Sequence, residues 1–230
     1  MINEIVNDFN KAVIEGERYK FILEGIQNTL IISLISVIIG VVIGTAIAII
    51  NSYSKETKKV KVLSKVCKLY VSVIRGTPVL LQLMIIYYVV FRNVRDISLI
   101  FVASLAFGIN SGAYVSEIIR AGIESIDRGQ IEAGRSLGLS YFQTLKLIIL
   151  PQAIKNILPA IGNEFITLIK ETSVAGYIGV RDLTKASDII ASRTYNYFFP
   201  LIIAAIIYLI IILVLTKCLN IFERRLKQNA

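Results

Sequence analysis

Asn110, Tyr114 and Glu117 recur at i, i+4 and i+7 within a largely apolar run, with Ser111 beside them. That spacing places the three on one face of a helix. A second apolar run repeats the arrangement: Asn163, Thr167 and Lys170 share a face, and Glu164 is adjacent to it. Such groups suit binding better than bond breaking. A carboxylate can pair with an ammonium, while amides, hydroxyls and backbone N–H groups can hold a carboxylate. If the two faces meet, they line a polar cavity; were its ligand an amino acid, the carboxylates would favour a cationic one such as arginine or lysine. Glu164 is the carboxylate expected to lie deepest. Glu117 lies nearer the end of its run, where the alternative is a solvated group or a pair with Arg120; Lys170 and Glu171 have an interfacial alternative.

Other chemistries are poorly served. The chain has no histidine, which removes His-based catalysis and His metal sites. No nucleophile–base pair stands out. Cys67 and Cys218 have no zinc or CxxC spacing and read as buried free thiols. No G-x-x-x-x-G-K-[ST] loop is present, so the chain cannot hydrolyse ATP by that route. The net charge of +9 comes with no nucleic-acid motif, and basic loops on the cytoplasmic side of a membrane protein account for it. No nucleic-acid partner is expected.

Composition points to the membrane. Hydrophobic residues make up 55% of the 230 and charged ones 18%, below the roughly 25% charged of a soluble domain. The apolar residues are also gathered into blocks long enough to cross a hydrocarbon core, which takes about 20 residues of helix. Gly25–Ser54 carries no charge. The predicted spans run over about 22–53, 63–91, 96–122, 143–170 and 195–220, the second interrupted around Arg75, Gly76, Thr77 and Pro78. Thr77 and Pro78 suit the restart of a helix, and Arg75 beside the break has either a carbonyl cluster, a partner subunit or the membrane interface to meet. Ser36, Gly40, Gly44 and Ala48 form a small-residue seam on one face of span one. The amino terminus, with Glu4, Asp8, Glu15 and Glu17, does not read as a signal peptide. No internal repeat is visible, and the chain is read as one domain over 1–230.

Lys and Arg set the orientation. Lys55, Lys58, Lys59, Lys61, Lys65 and Lys68 follow span one; Arg120, Arg128, Arg135 and Lys146 follow span three; Lys217, Arg224, Arg225 and Lys227 close the chain. These fourteen face eight on the opposite side, which puts the lysine-rich loop and the carboxyl terminus in the cytoplasm and the amino terminus outside.

Between spans three and four, DRGQIEAGRSLGLSYFQTLKLIILPQA parses into two short helices. Asp127 can cap the first, with Gln130 placed to reach back. Gly138 suits the left-handed residue that ends it. Ser140 with Gln143 can cap the next, and Pro151 would kink or restart it. The result is a short helix across the cytoplasmic face ending at a glycine hinge, with a plain interfacial helix as the alternative.

Glu132–Ala133–Gly134, then Gly138, then Ile148, Leu150 and Pro151 resemble, in residues and spacing, the cytoplasmic "EAA" motif of ATP-binding-cassette import permeases. That family usually has Ala where this chain has Gly134. RGTPVLLQL (75–83), NSGAYVSEIIRAGI (110–123) and KETSV (170–174) resemble its polar amino-acid branch, and the likeness covers roughly 20–222. It implies an all-α membrane protein with the type I (MetI-like) permease fold: five transmembrane helices and a short cytoplasmic coupling helix over about 128–138. It implies a dimer, with itself or a close paralogue, in a prokaryotic plasma membrane. ABC ATPase subunits that bind ATP and magnesium would sit below, and an extracytoplasmic amino-acid-binding protein above; this chain would hold no cofactor. Arg128, Glu132, Ala133, Gly134 and Gly138 would be the coupling residues, and Asn110, Ser111, Tyr114, Glu117, Asn163, Glu164 and Thr167 are the expected pathway. The competing readings are an ion-driven secondary transporter or channel, which fits poorly without repeats, and a membrane enzyme.

Overall fold

The structure, a computed structural model, describes residues 9–228 apart from the Lys227 side chain. Glu4 and Asp8, used in the signal-peptide reading, and that side chain, used in the charge reading, lie outside the described residues. The described residues are helical almost throughout, with no strand among them. After a turn of 3₁₀ helix at Glu15–Glu17 come α1 (Tyr19–Thr57), α2 (Lys61–Arg75), α3 (Val79–Ile85, continued by a π turn over Ile86–Val90), α4 (Leu99–Glu124) and α5 (Arg128–Ser136). They are followed by α6 (Tyr141–Thr144), a second π turn (Leu145–Ile149), α7 (Leu150–Glu171, then 3₁₀ over Thr172–Ile178), α8 (Leu183–Thr194) and α9 (Phe198–Gln228).

Among the described residues, four helical stretches are long and apolar enough to cross a membrane: Glu15–Thr57, Leu99–Glu124, Tyr141–Ile178 and Phe198–Leu226. The pair α2 and α3 passes the same test only jointly and is bent by 109° at its break. Counted as one span it makes five; otherwise it is a re-entrant hairpin. The break falls where the sequence interrupts the helix. Gly76 N–H and Thr77 Oγ1 bond back to the Ser72 and Val73 carbonyls, and Pro78 has no N–H to continue the ladder.

The chain packs as two compact units, each drawn from three separate stretches. The first takes Met1–Ser36 (described from residue 9), Val79–Phe107 and Ile166–Leu215; the second takes Val37–Pro78, Gly108–Phe165 and Thr216–Ala230 (described to residue 228). In the first, the loop before α8 docks on α1. Arg181 pairs with Glu24 at 2.6 Å, its carbonyl accepts from Asn28 Nδ2, and Leu183 N–H donates to Thr29 Oγ1. Asp182 caps α8, accepting from Thr184 N–H at 2.8 Å, and Thr184 in turn shares a hydrogen bond with Tyr208 of α9. Ser36, the first residue of the seam, donates to the Ser104 carbonyl of α4.

In the second unit the seam closes against α4 in both directions. A Cβ on Gly40 would lie 2.8 Å from Ser111 Cβ, and one on Gly44 2.7 Å from Val115 Cβ. Reciprocally, Gly108 and Gly112 of α4 receive Ile39 and Ile43 of α1, each 2.7 Å from where a Cβ would stand. Helices in lipid lack a hydrophobic drive to associate, so this backbone-to-backbone approach is what holds the pair. Tyr70 of α2 joins them, its hydroxyl donating to the Ile109 carbonyl. Cys67 is buried as expected. Cys218 is not: it lies on an uncovered face of α9 and is exposed, a correction that apolar neighbours in sequence could not reveal.

Asp182 lies outside the spans and has no exposed surface. Burial pushes its carboxyl up to about 6, with N–H bonds from Thr184 and Lys185 only partly opposing this. The folded pKa is thus above the unfolded one, so this contribution to stability is full below about pH 3.8 and is lost as pH rises through about 6. The protein's Tm in detergent is expected to fall between pH 4 and 7.5 (an illustrative scan about the two pKa values) by more than that of Asp182→Asn, which keeps the cap acceptor but cannot ionise. Parallel profiles for the two proteins would show that Asp182 is not the group responsible.

Candidate functional site: a buried carboxylate and a clamped short helix

The two apolar runs that carry amides and carboxylates are α4 and α7. They meet where Ser111 Oγ donates to Glu164 Oε1 at 2.8 Å. Both side chains are buried, as is Asn110. Ser111 is pressed from behind by the backbone of α1 at Gly40, so its hydroxyl is held on Glu164 rather than free to rotate away. A buried carboxylate is costly unless hydrogen-bonded and charge-compensated. One hydroxyl supplies a hydrogen bond but no charge, which leaves a demand that a cation can meet.

The other pathway residues are distributed differently. Glu117 is engaged by two guanidinium groups, Arg120 at 2.8 Å and Arg75 at 3.6 Å. Arg75 also stacks over Tyr114, 5.3 Å from the ring centre, and Arg120 goes on to Glu124 at 2.5 Å. The residue beside the helix break therefore touches both Tyr114 and Glu117, the latter together with Arg120. Sequence reading left Arg75 several partners, because which helix faces it depends on how α2 and α4 are rotated. Asn163 is exposed while its neighbour Glu164 is buried. Thr167, half-buried, belongs to the first unit.

The second feature is α5. Asp127 Oδ1 accepts from Gly129 N–H at 2.7 Å and starts it. Gly138, at φ 83°, ends it. Leu139 N–H bonds the Gly134 carbonyl and Gly138 N–H that of Arg135, the paired bonds of a Schellman motif. Ser140 and Gln143 then form a reciprocal capping box. The helix is fixed on both sides. Arg135 pairs with Glu56 at the end of α1, 3.1 Å away. Gly134 is buried, and a Cβ there would stand 2.6 Å from Thr144 Cγ2 and 3.1 Å from Ile148 Cδ1. This explains glycine where alanine is usual: Thr144 fills the space. The flanking helices are joined as well, Gly122 of α4 receiving Ile157 of α7 and Asn156 donating to Ser125 Oγ at 2.9 Å. Arg128, Glu132 and Ala133 are left exposed, and Leu137 is 80% exposed.

Residues 36–228 match the family of binding-protein-dependent transport system inner membrane components. The chain belongs to this family. Among curated relatives of this permease, the arginine transport system permease protein of Bacillus subtilis is 43% identical over 210 residues, covering 91% of this chain and 94% of the relative. A Rickettsia bellii permease protein, assigned provisionally by its name to glutamine transport, is 44% identical over 207 residues, covering 90% and 93%. A crystal structure of an amino acid ABC transporter matches with a TM-score of 0.84 at 44% identity, over 90% of the permease and 94% of that chain. An inward-facing methionine ABC transporter shares the fold, with a TM-score of 0.79 at 18% identity over 93% and 99%. The all-α permease fold and multi-pass membrane location follow, and an ion-driven channel or secondary transporter is not favoured.

The Gly134–Thr144 contact is testable by a double-mutant cycle. Gly134→Ala is expected to be better tolerated in a Thr144→Ala background than in the wild type, by about 1 kcal/mol or more of coupling. Thermal unfolding of the four proteins in one detergent measures it; additive effects would show that the two side chains do not compete for space.

Proposed function

We propose that this chain is the membrane-spanning subunit through which an ATP-driven importer passes polar amino acids, with α5 as the element that partner ATPase subunits drive. The observation that carries the reading is the clamping of α5. Its solvent face, with Arg128, Glu132, Ala133 and Leu137, is open, while Gly134, Arg135 and Gly138 tie it to α1 and to the helix that leads into α7. A force on that open face is therefore passed to the same helix that carries Glu164. ATP and magnesium would be bound by the partner ATPase. The lysine-rich end of α1 and the carboxyl terminus would face the cytoplasm, the amino terminus would lie outside, and a second permease subunit, identical or paralogous, would complete the pathway.

Glu164, with Ser111 beside it, would receive the cargo's ammonium, with Asn110, Asn163 and Thr167 as further pathway contacts, Tyr114 stacked under Arg75, and Glu117 held by Arg120 and Arg75. Relatives named for arginine and for glutamine share an α-ammonium, and this group rather than the side chain is what one buried carboxylate can require. The cycle is alternating access: ATP closes the ATPases together, α5 moves with them, and cargo held at Glu164 is released inward.

The test is reconstitution with the ATPase and binding protein. Glu132→Ala and Gly138→Val should each lower uptake and cargo-stimulated ATP hydrolysis by about tenfold or more while membrane insertion is unchanged; a Val at Gly138 is forced into a left-handed conformation it disfavours. Glu164→Gln should raise the KM for uptake by about tenfold, the loss of about 1.4 kcal/mol of binding, and leave basal ATP hydrolysis as it was. Wild-type uptake in both α5 variants would remove the coupling role.

A further inference from the structure

A cleft of about 700 Å³ in the second unit is lined by the end of α1, the start of α2, the end of α4 and Tyr141. We propose that it binds the phosphate headgroup of an anionic phospholipid. This rests on the cleft and on α2 and not on Glu164, although Glu117 of the expected pathway also lines the cleft.

Charge is the first observation. Lys55 and Lys68 line the cleft, and Lys58, Lys59, Lys61 and Lys65 lie on the same exposed stretch. None of the six is in an ion pair among the described residues, and the nearby Glu56 is taken by Arg135. The two carboxylates in the cleft are already committed, Glu117 to Arg75 and Arg120, and Glu124 to Arg120. The uncompensated charge is therefore positive. A zwitterionic cargo would need a carboxylate that is not engaged by arginine, and the cleft has none to offer. An anion needs only the lysines.

Hydroxyls are the second. Ser52, Ser64 and Tyr141 line the same cleft; Ser64 already donates to Asn51 Oδ1 at 2.7 Å, while Ser52 Oγ and Tyr141 OH are 3.3 Å apart and share one proton between them, which leaves the other free to be donated. Ammonium and hydroxyl donors together match phosphate oxygens. Topology alone accounts for basic residues anywhere in the cytoplasmic loops, but not for two of them on a hydroxyl-lined cleft.

The third observation separates a lipid from a free anion. Val62, Val66, Leu69 and Val73 recur at i, i+4, i+7 and i+11 along α2 and are all exposed, Val62 at 77% and Leu69 at 63%. This apolar stripe runs beside Lys61, Lys65 and Lys68, while Ser64 and Cys67 on the opposite side are buried. Lysines flanking an exposed apolar stripe suit a surface that is charged above and acyl below.

The full chain in a neutral detergent, titrated with short-chain phosphatidylglycerol, tests this by native mass spectrometry and thermal shift. Retained phosphatidylglycerol and a raised Tm are expected, with no such effect from phosphatidylcholine or from inorganic phosphate. Lys55→Gln with Lys68→Gln should weaken phosphatidylglycerol binding about tenfold or more. Lys58→Gln with Lys59→Gln, outside the cleft, should weaken it far less, and Leu69→Gln should weaken it through the acyl contact. Equal binding of phosphatidylcholine, equal stabilisation by inorganic phosphate, or equal losses from the two lysine pairs would each overturn the proposal. Binding is read on the chain itself, so its failure leaves the transport reading untouched.

Discussion

The structure depends on how closely α1 and α4 approach. In lipid an apolar side chain gains little by leaving one hydrocarbon neighbour for another, so helices are held by dispersion and by hydrogen bonds. Both need near contact. The reciprocal fit of Gly40 and Gly44 against Ser111 and Val115, and of Gly108 and Gly112 against Ile39 and Ile43, supplies it. The same contact has a chemical effect, because Ser111 is both the side chain that Gly40 accommodates and the donor to Glu164. Packing and site are one feature at that point, and a residue whose role is steric sets the orientation of a hydroxyl on a buried carboxylate.

Around α5 the logic differs. Here the backbone is irregular and exposed to water, and order comes from local hydrogen bonding: a cap at Asp127, a Schellman end at Gly138 and a box at Ser140. Each is formed within a few residues of sequence, so the short helix can be stable without a core of its own. Its tie to the rest of the protein is through one glycine, one ion pair and the helix that follows. Such an element is held together as one piece, which is the property needed by a part that is pushed from outside.

What could be read from sequence follows this division. Caps and hinges are local, and Asp127, Gly138, Ser140 and Gln143 were all assigned their places from spacing alone. Uncharged stretches such as Gly25–Ser54 marked helix long enough to span, and the interruption at Arg75–Pro78 was visible in its residues. The angle at that interruption was not, since a break states only that the ladder stops. Nor was the Arg75–Glu117 pair legible, because partners far apart in sequence depend on how two helices are rotated. Asn163 and Glu164 show the same limit: adjacent residues point to different surroundings, and only the position of α4 decides which is covered. The exposure of Cys218 is set in the same way, by which helices cover α9.

The π turn over Leu145–Ile149 has a consequence for how this segment is compared with others. A π turn holds one residue more than the α turn it replaces, so every side chain beyond it is rotated by about 100° from where an uninterrupted wheel would draw it. Thr144, which meets Gly134, and Glu164, which meets Ser111, stand on opposite sides of that phase shift. A projection carried through the whole segment would place one of the two contacts on the wrong flank, and an aligned relative without the extra residue would need a gap there to keep both in step.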